Sequence, residues 1–207
     1  MSLLPLRGGG GRARPLVIKI GGSLAETGRL KACLAAVFGL RRRVVVVPGG
    51  GPFADAVRER QKHDGLTDSE AHFLAIAAMH DMAAMLLLQQ PGLVCAETLS
   101  DIGAAWRRGR IPVWLPLRLA RRDDTIPRDW SVTSDGLAAR LAERLGRLPV
   151  VLIKSVRVPR SEPARSLAAR GVVDPTFAAI VRRSGLCWAI AGPHIEHSCC
   201  SRGRALG

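Results

Sequence analysis

Short, mainly apolar runs alternate along the chain with longer segments whose apolar residues recur at helical spacing. The runs are rich in valine and isoleucine, a composition typical of strands that are buried on both faces of a parallel sheet. They lie at residues 16–20, 44–47, 93–96, 111–115, 150–154 and 186–191. Because strands and helices alternate, we predict an α/β fold, a three-layer α/β/α sandwich with a mainly parallel central sheet.

Capping and stop signals mark the helices between these strands. Thr67 and Glu70 have the spacing of a capping box, and Pro91 stops the helix that this box begins. We predict helices at residues 23–40, 67–90, 102–108, 134–146 and 174–185, and a further one that starts at residue 52. The segment 117–130 is polar and irregular and is predicted as a loop. The segment 157–170 carries two prolines and four arginines and is predicted as a mobile, lid-like loop.

The chain has a formal net charge of +14, which raises the question of a nucleic-acid partner. Three of its four arginine clusters lie at predicted helix ends, where cations interact favourably with the helix dipole. Four Trp, four Phe and no Tyr leave few aromatic platforms on which bases could stack. Anionic small ligands therefore explain the charge better than a nucleic acid, and we expect no nucleic-acid partner.

The two ends of the chain differ from its middle. Residues 1–15 contain four consecutive glycines and three arginines, so we predict a flexible tail there, one domain at 16–192 and a second tail at 193–207. The first tail lacks the apolar stretch of a signal peptide, and no uninterrupted apolar run approaches the roughly 18 residues that cross a bilayer. We expect a cytoplasmic protein with no membrane partner. Histidines and cysteines at 194–200 follow no recognised ligand spacing, so no metal site is predicted.

Two glycine turns each follow a predicted strand and precede a predicted helix. Gly21 and Gly22 follow the first strand, and 49–51 follow the second. Ligands of open α/β sheets bind at the carboxyl ends of the strands, and glycine lets the backbone approach a phosphate closely. Neither turn matches a dinucleotide or Walker pattern, and a purely structural turn is the alternative for each one alone. Together they predict an anion site.

Lysine is scarce in this chain, since only four of the 31 basic residues are lysines. Lys19 and Lys154 each lie at the end of an apolar strand, whereas Lys31 and Lys62 lie in helical stretches and are predicted to be on the surface. A compact ammonium group suits a transferring phosphoryl group better than a guanidinium group does. The two strand-end lysines are therefore candidate phosphate ligands.

Three motifs in this order resemble those of the amino-acid kinases, a family that includes acetylglutamate, aspartate, uridylate and isopentenyl phosphate kinases. Residues 17–24, Val-Ile-Lys-Ile-Gly-Gly-Ser-Leu, resemble the opening strand and loop of that family. Residues 46–52, Val-Val-Pro-Gly-Gly-Gly-Pro, resemble its second glycine loop, and residues 133–139, Thr-Ser-Asp-Gly-Leu-Ala-Ala, resemble its third motif. The resemblance covers residues 15–155 approximately.

The resemblance implies an ATP-dependent kinase with Mg²⁺ on the nucleotide. It implies that Lys19 holds the transferring phosphoryl group, that Lys154 is a second phosphate-contacting lysine as in the uridylate kinase branch, and that Asp135 orients both. A carboxylate at a helix N-terminus is the alternative reading of Asp135. The implied phosphate and ATP contacts, including backbone N–H groups of the first glycine turn, are Gly21, Gly22, Ser23 and Ser134. The implied acceptor contacts are Gly49, Gly50, Gly51, Asp55 and Arg58.

The nucleotide end departs from the family pattern. The acidic-glycine segment that usually follows the strand before Lys154 is replaced by Val-Arg-Val-Pro at 156–159, and the C-terminal third is short. Arg157 or Arg160 is expected to substitute for the missing nucleotide-base contacts.

Within the family, the chain most resembles a short branch. The resemblance lies in residues 49–58, in residues 66–72 and in the methionine-rich helix that follows. That branch phosphorylates aminomethylfuran phosphate to a diphosphate during synthesis of methanofuran-type one-carbon cofactors. A phosphate acceptor is already ionised and needs no general base, which fits the lack of an obvious base in the motifs. Uridylate, another phosphate monoester, an amino-acid carboxylate, and a non-catalytic relative that binds nucleotides or oxyanions are the alternatives. The family also implies a homo-oligomer.

Overall fold

The structure, a computed structural model, describes residues 13–26, 28–40, 42–159 and 161–192. Arg160 and the segment 194–200, for which predictions were made above, lie outside the described residues. Most of the predicted N-terminal tail and all of the predicted C-terminal tail lie outside them as well.

Six strands form one sheet in the order β3-β4-β2-β1-β5-β6, and every neighbouring pair is parallel. The strands are β1 (Leu16–Ile20), β2 (Val44–Pro48), β3 (Leu93–Ala96), β4 (Ile111–Trp114), β5 (Val150–Ile153) and β6 (Trp188–Ala191). The helices of the described residues are α1 (Ser23–Glu26), α2 (Leu30–Phe38), α3 (Gly51–Asp64), α4 (Asp68–Gln89), α5 (Leu99–Arg107), α6 (Leu117–Ala120), α7 (Ser134–Arg144), α8 (Ala164–Ala169) and α9 (Pro175–Ser184). The predicted parallel α/β fold is confirmed.

One predicted helix and two predicted loops need correction. The helix predicted at 23–40 is two helices, because Gly28 between them has φ +67°, a conformation that a right-handed helix cannot include. The loop predicted at 117–130 begins with α6, whose leucines pack against the core, and the loop predicted at 157–170 contains α8, in which Leu167 is fully buried. In both loops, tertiary burial outweighs a polar or proline-rich local sequence.

The alternating residues of β1 face two different core clusters. Leu16, Ile18 and Ile20 pack in the cluster that includes α2, whereas Val17 packs in the cluster that includes α7. Lys19 is two residues from Val17, so its side chain points to the face that α7 covers. The pleat of β1 thus directs one lysine towards the N-terminus of a helix.

The helix α4 is long and apolar enough to cross a membrane by length and composition alone. It begins with the predicted capping box, in which Thr67 and Glu70 bond to each other's backbone, and it packs along α3 and against β2, β3 and β4. We interpret α4 as a core helix of this domain.

The strands β1 and β5 are neighbours from which the chain leaves in opposite directions. After β1 the chain passes through α1 and α2 to β2, whereas after β5 it passes through α8 and α9 to β6 on the other side. Such a reversal of strand order leaves a crevice at the carboxyl ends of the two strands, which is where ligands of this architecture bind.

Candidate active site

Two lysines and one aspartate meet at the crevice between β1 and β5. The Lys19 Nζ atom lies 2.9 Å from Asp135 Oδ1, and the Lys154 Nζ atom lies 2.5 Å from Asp135 Oδ2. The Asp135 side chain is 3% exposed, and those of Lys19 and Lys154 are 8% and 15% exposed. One buried carboxylate therefore holds two ammonium groups side by side.

The fold explains why these three residues converge. Lys19 is paired with Leu152 in the register of β1 and β5, so Lys154 lies just beyond the end of β5 on the neighbouring strand. Asp135 is in the first turn of α7, which begins after Thr133. The positive end of the α7 dipole adds to the two ammonium charges at this point.

The electrostatics of the cluster are dominated by burial and by the mutual charges. Burial by itself raises the pKa of the Asp135 carboxyl, but the charges of Lys19 and Lys154 outweigh it and hold that pKa below its ordinary value. Burial and the charge of Lys19 lower the pKa of the Lys154 ammonium group, and Asp135 offsets part of this effect. Asp135 thus stays ionised, and Lys154 is easier to deprotonate than an exposed lysine.

Asp174 fixes the start of α7 from the neighbouring helix. Its carboxylate caps α9 by accepting from the Phe177 N–H at 2.6 Å. The same carboxylate accepts from the N–H and the hydroxyl of Thr133 at 2.8 and 2.7 Å and from the Gly136 N–H at 2.8 Å. Burial and the charge of Asp135 raise its pKa in spite of these bonds. Sequence reasoning identified Asp174 only as a helix start, so its contact with α7 was missed.

The two glycine turns pack backbone against backbone. A Cβ atom on Gly22 would lie 2.1 Å from the Gly51 nitrogen, and one on Gly49 would lie 2.5 Å from the Gly22 nitrogen. Gly51 also has φ +53°, a backbone conformation that residues other than glycine rarely adopt. The glycines are therefore required for the turns to meet.

Two amides of these turns are occupied within the protein. The Gly21 N–H donates to the Ile153 carbonyl at 2.9 Å, and the Gly49 N–H donates to the Ile20 carbonyl at 2.8 Å. The expectation that the Gly21 amide donates to a phosphate oxygen is therefore wrong in this structure: that amide joins β1 to β5. Gly49 still lies on the wall of the neighbouring cavity, where its contribution is shape.

A cavity of about 250 Å³ opens beside Lys19 between the glycine turns, α3, α4 and the segment that precedes α7. Of the predicted site residues, those on its wall are Lys19, Gly22, Ser23, Gly49, Gly50, Gly51, Asp55, Arg58 and Ser134. Gly21, Asp135 and Lys154 are not on the wall. The structure thus brings all five implied acceptor contacts together around one cavity, while Lys154 lies on the other side of Asp135.

The outer wall of the cavity contains residues that sequence reasoning missed. The Arg58 guanidinium carbon lies 3.8 Å above the centre of the Trp130 ring, and the Trp130 indole N–H donates to Gln61 Oε1 at 2.6 Å. His72 of α4 is buried on the same wall. No local sequence signal links Trp130 to α3, because the contact joins residues 69 positions apart.

A resident metal ion finds no ready site in the described part of the chain. No group of three or more His, Cys, Asp or Glu side chains there is placed to hold an ion. Both oxygens of Asp135, the buried carboxylate of the cluster, face ammonium groups. Mg²⁺ usually keeps several waters and binds through substrate phosphates with one or two carboxylates. The residues present therefore fit Mg²⁺ that arrives on nucleotide phosphates, not an ion held by a protein cage.

Known proteins share both the sequence pattern and the fold. Residues 14–163 match the amino acid kinase family. The chain is 26% identical over 193 residues to [5-(aminomethyl)furan-3-yl]methyl phosphate kinase of Methanocaldococcus jannaschii, covering 87% of this chain and 89% of the relative.

Solved structures of kinases superpose on most of the chain. Uridylate kinase from Archaeoglobus fulgidus gives a TM-score of 0.61 at 17% identity and covers 84% of this chain and 88% of that structure. Aspartate kinase from Synechocystis gives 0.62 at 17% identity and covers 94% of this chain and 41% of that structure. These likenesses show the shared fold. Since the family match spans more than half of the chain and confirms the resemblance carried by the three motifs, the protein belongs to the amino acid kinase family and is a phosphotransferase.

Proposed function

We propose that the protein transfers the γ-phosphoryl group of ATP to a small molecule that already carries a phosphate, and that this acceptor is [5-(aminomethyl)furan-3-yl]methyl phosphate. The observation that carries the proposal is the cavity beside Lys19. Its inner end is formed by Lys19 and the glycine turns, and its outer end by Trp130 and apolar side chains together with Arg58 and His72. A phosphate at one end and a small ring at the other match these two surfaces.

The size of the cavity favours this acceptor over a nucleotide. About 250 Å³ is below the roughly 300–1,000 Å³ typical of ligand pockets. A ring with two short substituents needs less space than the base and ribose of uridylate. The relative in Methanocaldococcus jannaschii supplies the identity of the small acceptor, since its name states it.

The reaction would be a direct in-line transfer. An oxygen of the acceptor phosphate attacks the γ-phosphorus, the bond from that phosphorus to the bridging oxygen breaks, and ADP leaves with the bonding electrons. Lys19 would stabilise the negative charge on the transferring group from the acceptor side, and Lys154 would do so from the nucleotide side. Asp135 would keep both ammonium groups charged and in place. The attacking phosphate is ionised near neutral pH, so no general base is required.

Mg²⁺ would neutralise the polyphosphate of ATP when bound. Lys154 and Ser155 lie just beyond the end of β5, and the Ser155 hydroxyl is 3.2 Å from the hydroxyl of Ser23, which is also on the cavity wall. We assign these three groups to the nucleotide phosphates. Ser23 lies at the N-terminus of α1, directly after the first glycine turn, where it would meet phosphate oxygens.

We also propose a cytoplasmic location and, from the family, a homo-oligomer, whose size would be measured by light scattering.

The test is a comparison of acceptors with the purified protein, Mg²⁺ and ATP. ADP formation is followed with [5-(aminomethyl)furan-3-yl]methyl phosphate, uridylate, aspartate and acetylglutamate at matched concentrations. We expect kcat/KM for the furan phosphate to exceed the others by at least about tenfold, since a poor fit of even one methylene in an apolar pocket costs on the order of 10-fold or more. Faster turnover of uridylate or of a carboxylate would replace the proposed acceptor. Tight nucleotide binding with no turnover of any acceptor would support a non-catalytic relative.

A further inference from the structure

The acceptor cavity extends along one side of α4. His72, Ala75, Ile76 and Met79 all line it, and this spacing places them on one face of the helix. His72 and Met79 are therefore about 10 Å apart along the helix axis. The second glycine turn meets α4 at the Met79 end, because a Cβ atom on Gly51 would lie 2.5 Å from Met82 Cε. His72 thus marks the end of the cavity that is remote from the phosphate-binding turns.

The His72 side chain lines this remote end and carries a buried hydrogen-bond acceptor without a partner in the described part of the chain. The residue is 3% exposed. The imidazole ring is hydrogen-bonded to the Asp129 backbone, and its Nε2 atom has no hydrogen-bond partner among the described residues. Burial lowers the pKa of the imidazole, and the Asp129 bond offsets this only in part. A neutral ring whose Nδ1–H is used by a backbone carbonyl carries its free lone pair on Nε2.

A buried acceptor without a donor is costly, so a ligand that brings an N–H group gains from meeting it. The other polar groups of the cavity wall do not supply this donor. Arg58 is stacked on Trp130, and the Trp130 indole N–H is used by Gln61. The carboxylate of Asp55 is on the same wall and would offset a positive charge in the cavity.

We propose that His72 is a specificity-determining residue, whose Nε2 accepts a hydrogen bond from an amino group at the end of the acceptor opposite its phosphate. This inference rests on the proposed function. It adds to that function the kind of acceptor that the remote end of the cavity selects, which is a phosphate monoester with a primary amine on the opposite side of a small ring. An acceptor of the same shape with a methyl group in place of the amine would leave Nε2 without its partner.

The test compares two acceptors within each variant, so that loss of folded protein cancels in the ratio. The acceptors are [5-(aminomethyl)furan-3-yl]methyl phosphate and its 5-ethyl analogue, in which CH₃ replaces NH₃⁺. We expect the unaltered protein to prefer the amine by on the order of 10–100-fold in kcat/KM, the range for a hydrogen bond to a charged group. His72→Leu should reduce that preference by about tenfold, through KM for the amine. His72→Gln, whose side-chain oxygen can accept at a similar position, should retain it within about threefold.

Two controls separate the possible results. His63→Leu removes an exposed histidine of α3 that is not on the cavity wall, and it should leave the preference unchanged. Calorimetric binding of both furan phosphates in the presence of a non-hydrolysable ATP analogue measures the preference without turnover.

Selective binding of the amine that is lost in His72→Leu, without any phosphoryl transfer, would support the role of His72 and remove the proposed function. Turnover with an equal preference in His72→Leu and the unaltered protein would overturn the role of His72 alone. Binding of neither furan phosphate would overturn both.

Discussion

The two sides of Asp135 differ in whether their lysine reaches the cavity or is bonded to a backbone carbonyl of the protein. On the acceptor side, formed by β1, β2, α3 and α4, Lys19 reaches the cavity wall and the glycine turns lock each other in place. On the nucleotide side, formed by β5, β6, α8 and α9, Lys154 is absent from that wall and donates to the Val172 carbonyl at 2.5 Å as well as to Asp135.

Under the proposed function, this difference implies that the acceptor side is preformed and that the nucleotide side must rearrange. Backbone packing between glycines leaves no alternative position for the turns. In contrast, a phosphate can replace the Val172 carbonyl as a partner of Lys154 by a rotation of the lysine side chain. Single substitutions can separate the two sides.

Removal of the shared carboxylate should affect both sides at once. Asp135→Asn leaves two buried ammonium groups side by side without a counter-charge, and breaking a buried pair typically costs about 3–5 kcal/mol. The free energy of unfolding from urea titration measures this. Asp124→Asn is the matched control, because Asp124 is 91% exposed in its pair with Arg128 and should cost under about 1 kcal/mol. Equal losses in the two variants would contradict a buried, charged cluster.

Removal of Lys19 should affect the chemical step. Lys19→Ala is expected to lower kcat by on the order of 10² or more, because the group that stabilises charge on the transferring phosphoryl is lost. Lys31→Ala, which removes an exposed lysine of α2, should leave kcat within about twofold, as surface substitutions usually do. Steady-state rates at saturating ATP measure both. An unchanged kcat in correctly folded Lys19→Ala would remove Lys19 from the mechanism.

A methyl group between the glycine turns should destabilise the acceptor side. In Gly22→Ala the new Cβ would lie 2.1 and 2.3 Å from backbone atoms of Gly51, which cannot move as a side chain can. We expect a loss of about 1–3 kcal/mol in unfolding free energy, the usual range for overpacking, together with weaker acceptor binding. Gly103→Ala in α5 meets only the flexible Arg107 side chain, at 3.5 Å, and should be neutral or stabilising. Equal stability of the two variants would show that the turns are not locked.

The smallest expected effect is a pH dependence that belongs to the nucleotide side. Burial and the charge of Lys19 lower the pKa of Lys154, so Lys154 loses its proton at a lower pH than an ordinary lysine. If the charged form binds the nucleotide phosphates, kcat/KM for ATP should fall as pH rises through that lowered pKa. Lys154→Arg stays charged in this range and should move the decline to higher pH, by a severalfold difference in rate at alkaline pH. Parallel profiles for the two proteins would exclude Lys154 as the titrating group.

The sequence predicted the elements that depend on local pattern. All six strands were found within about two residues of their ends, because largely buried strands appear as short, mainly apolar runs. The helix broken at Gly28 and the short helices α6 and α8 were not found, since a single left-handed residue or a few buried leucines decide them. Their formation depends on packing that a local window does not contain.

The same division holds for the candidate site. Lys19 and the glycine turns lie in contiguous motifs, and the structure places them around one cavity. Trp130 and Asp174 enter the site through contacts with residues far away in the sequence, which no local pattern shows. His72 lies in the segment 66–72 that resembles the short branch, but that resemblance gave it no role in the site. The roles of the predicted residues in phosphoryl transfer stay predictions until the variants above are measured.

The most direct measurement of the central claim is the ³¹P NMR spectrum of a reaction with ATP, Mg²⁺ and [5-(aminomethyl)furan-3-yl]methyl phosphate. If the acceptor phosphate attacks the γ-phosphorus beside Lys19, the acceptor signal is replaced by two coupled diphosphate signals while ATP becomes ADP, and Lys19→Ala forms this product at least about 10²-fold more slowly. Conversion of ATP to ADP and inorganic phosphate with an unchanged acceptor signal would contradict the account.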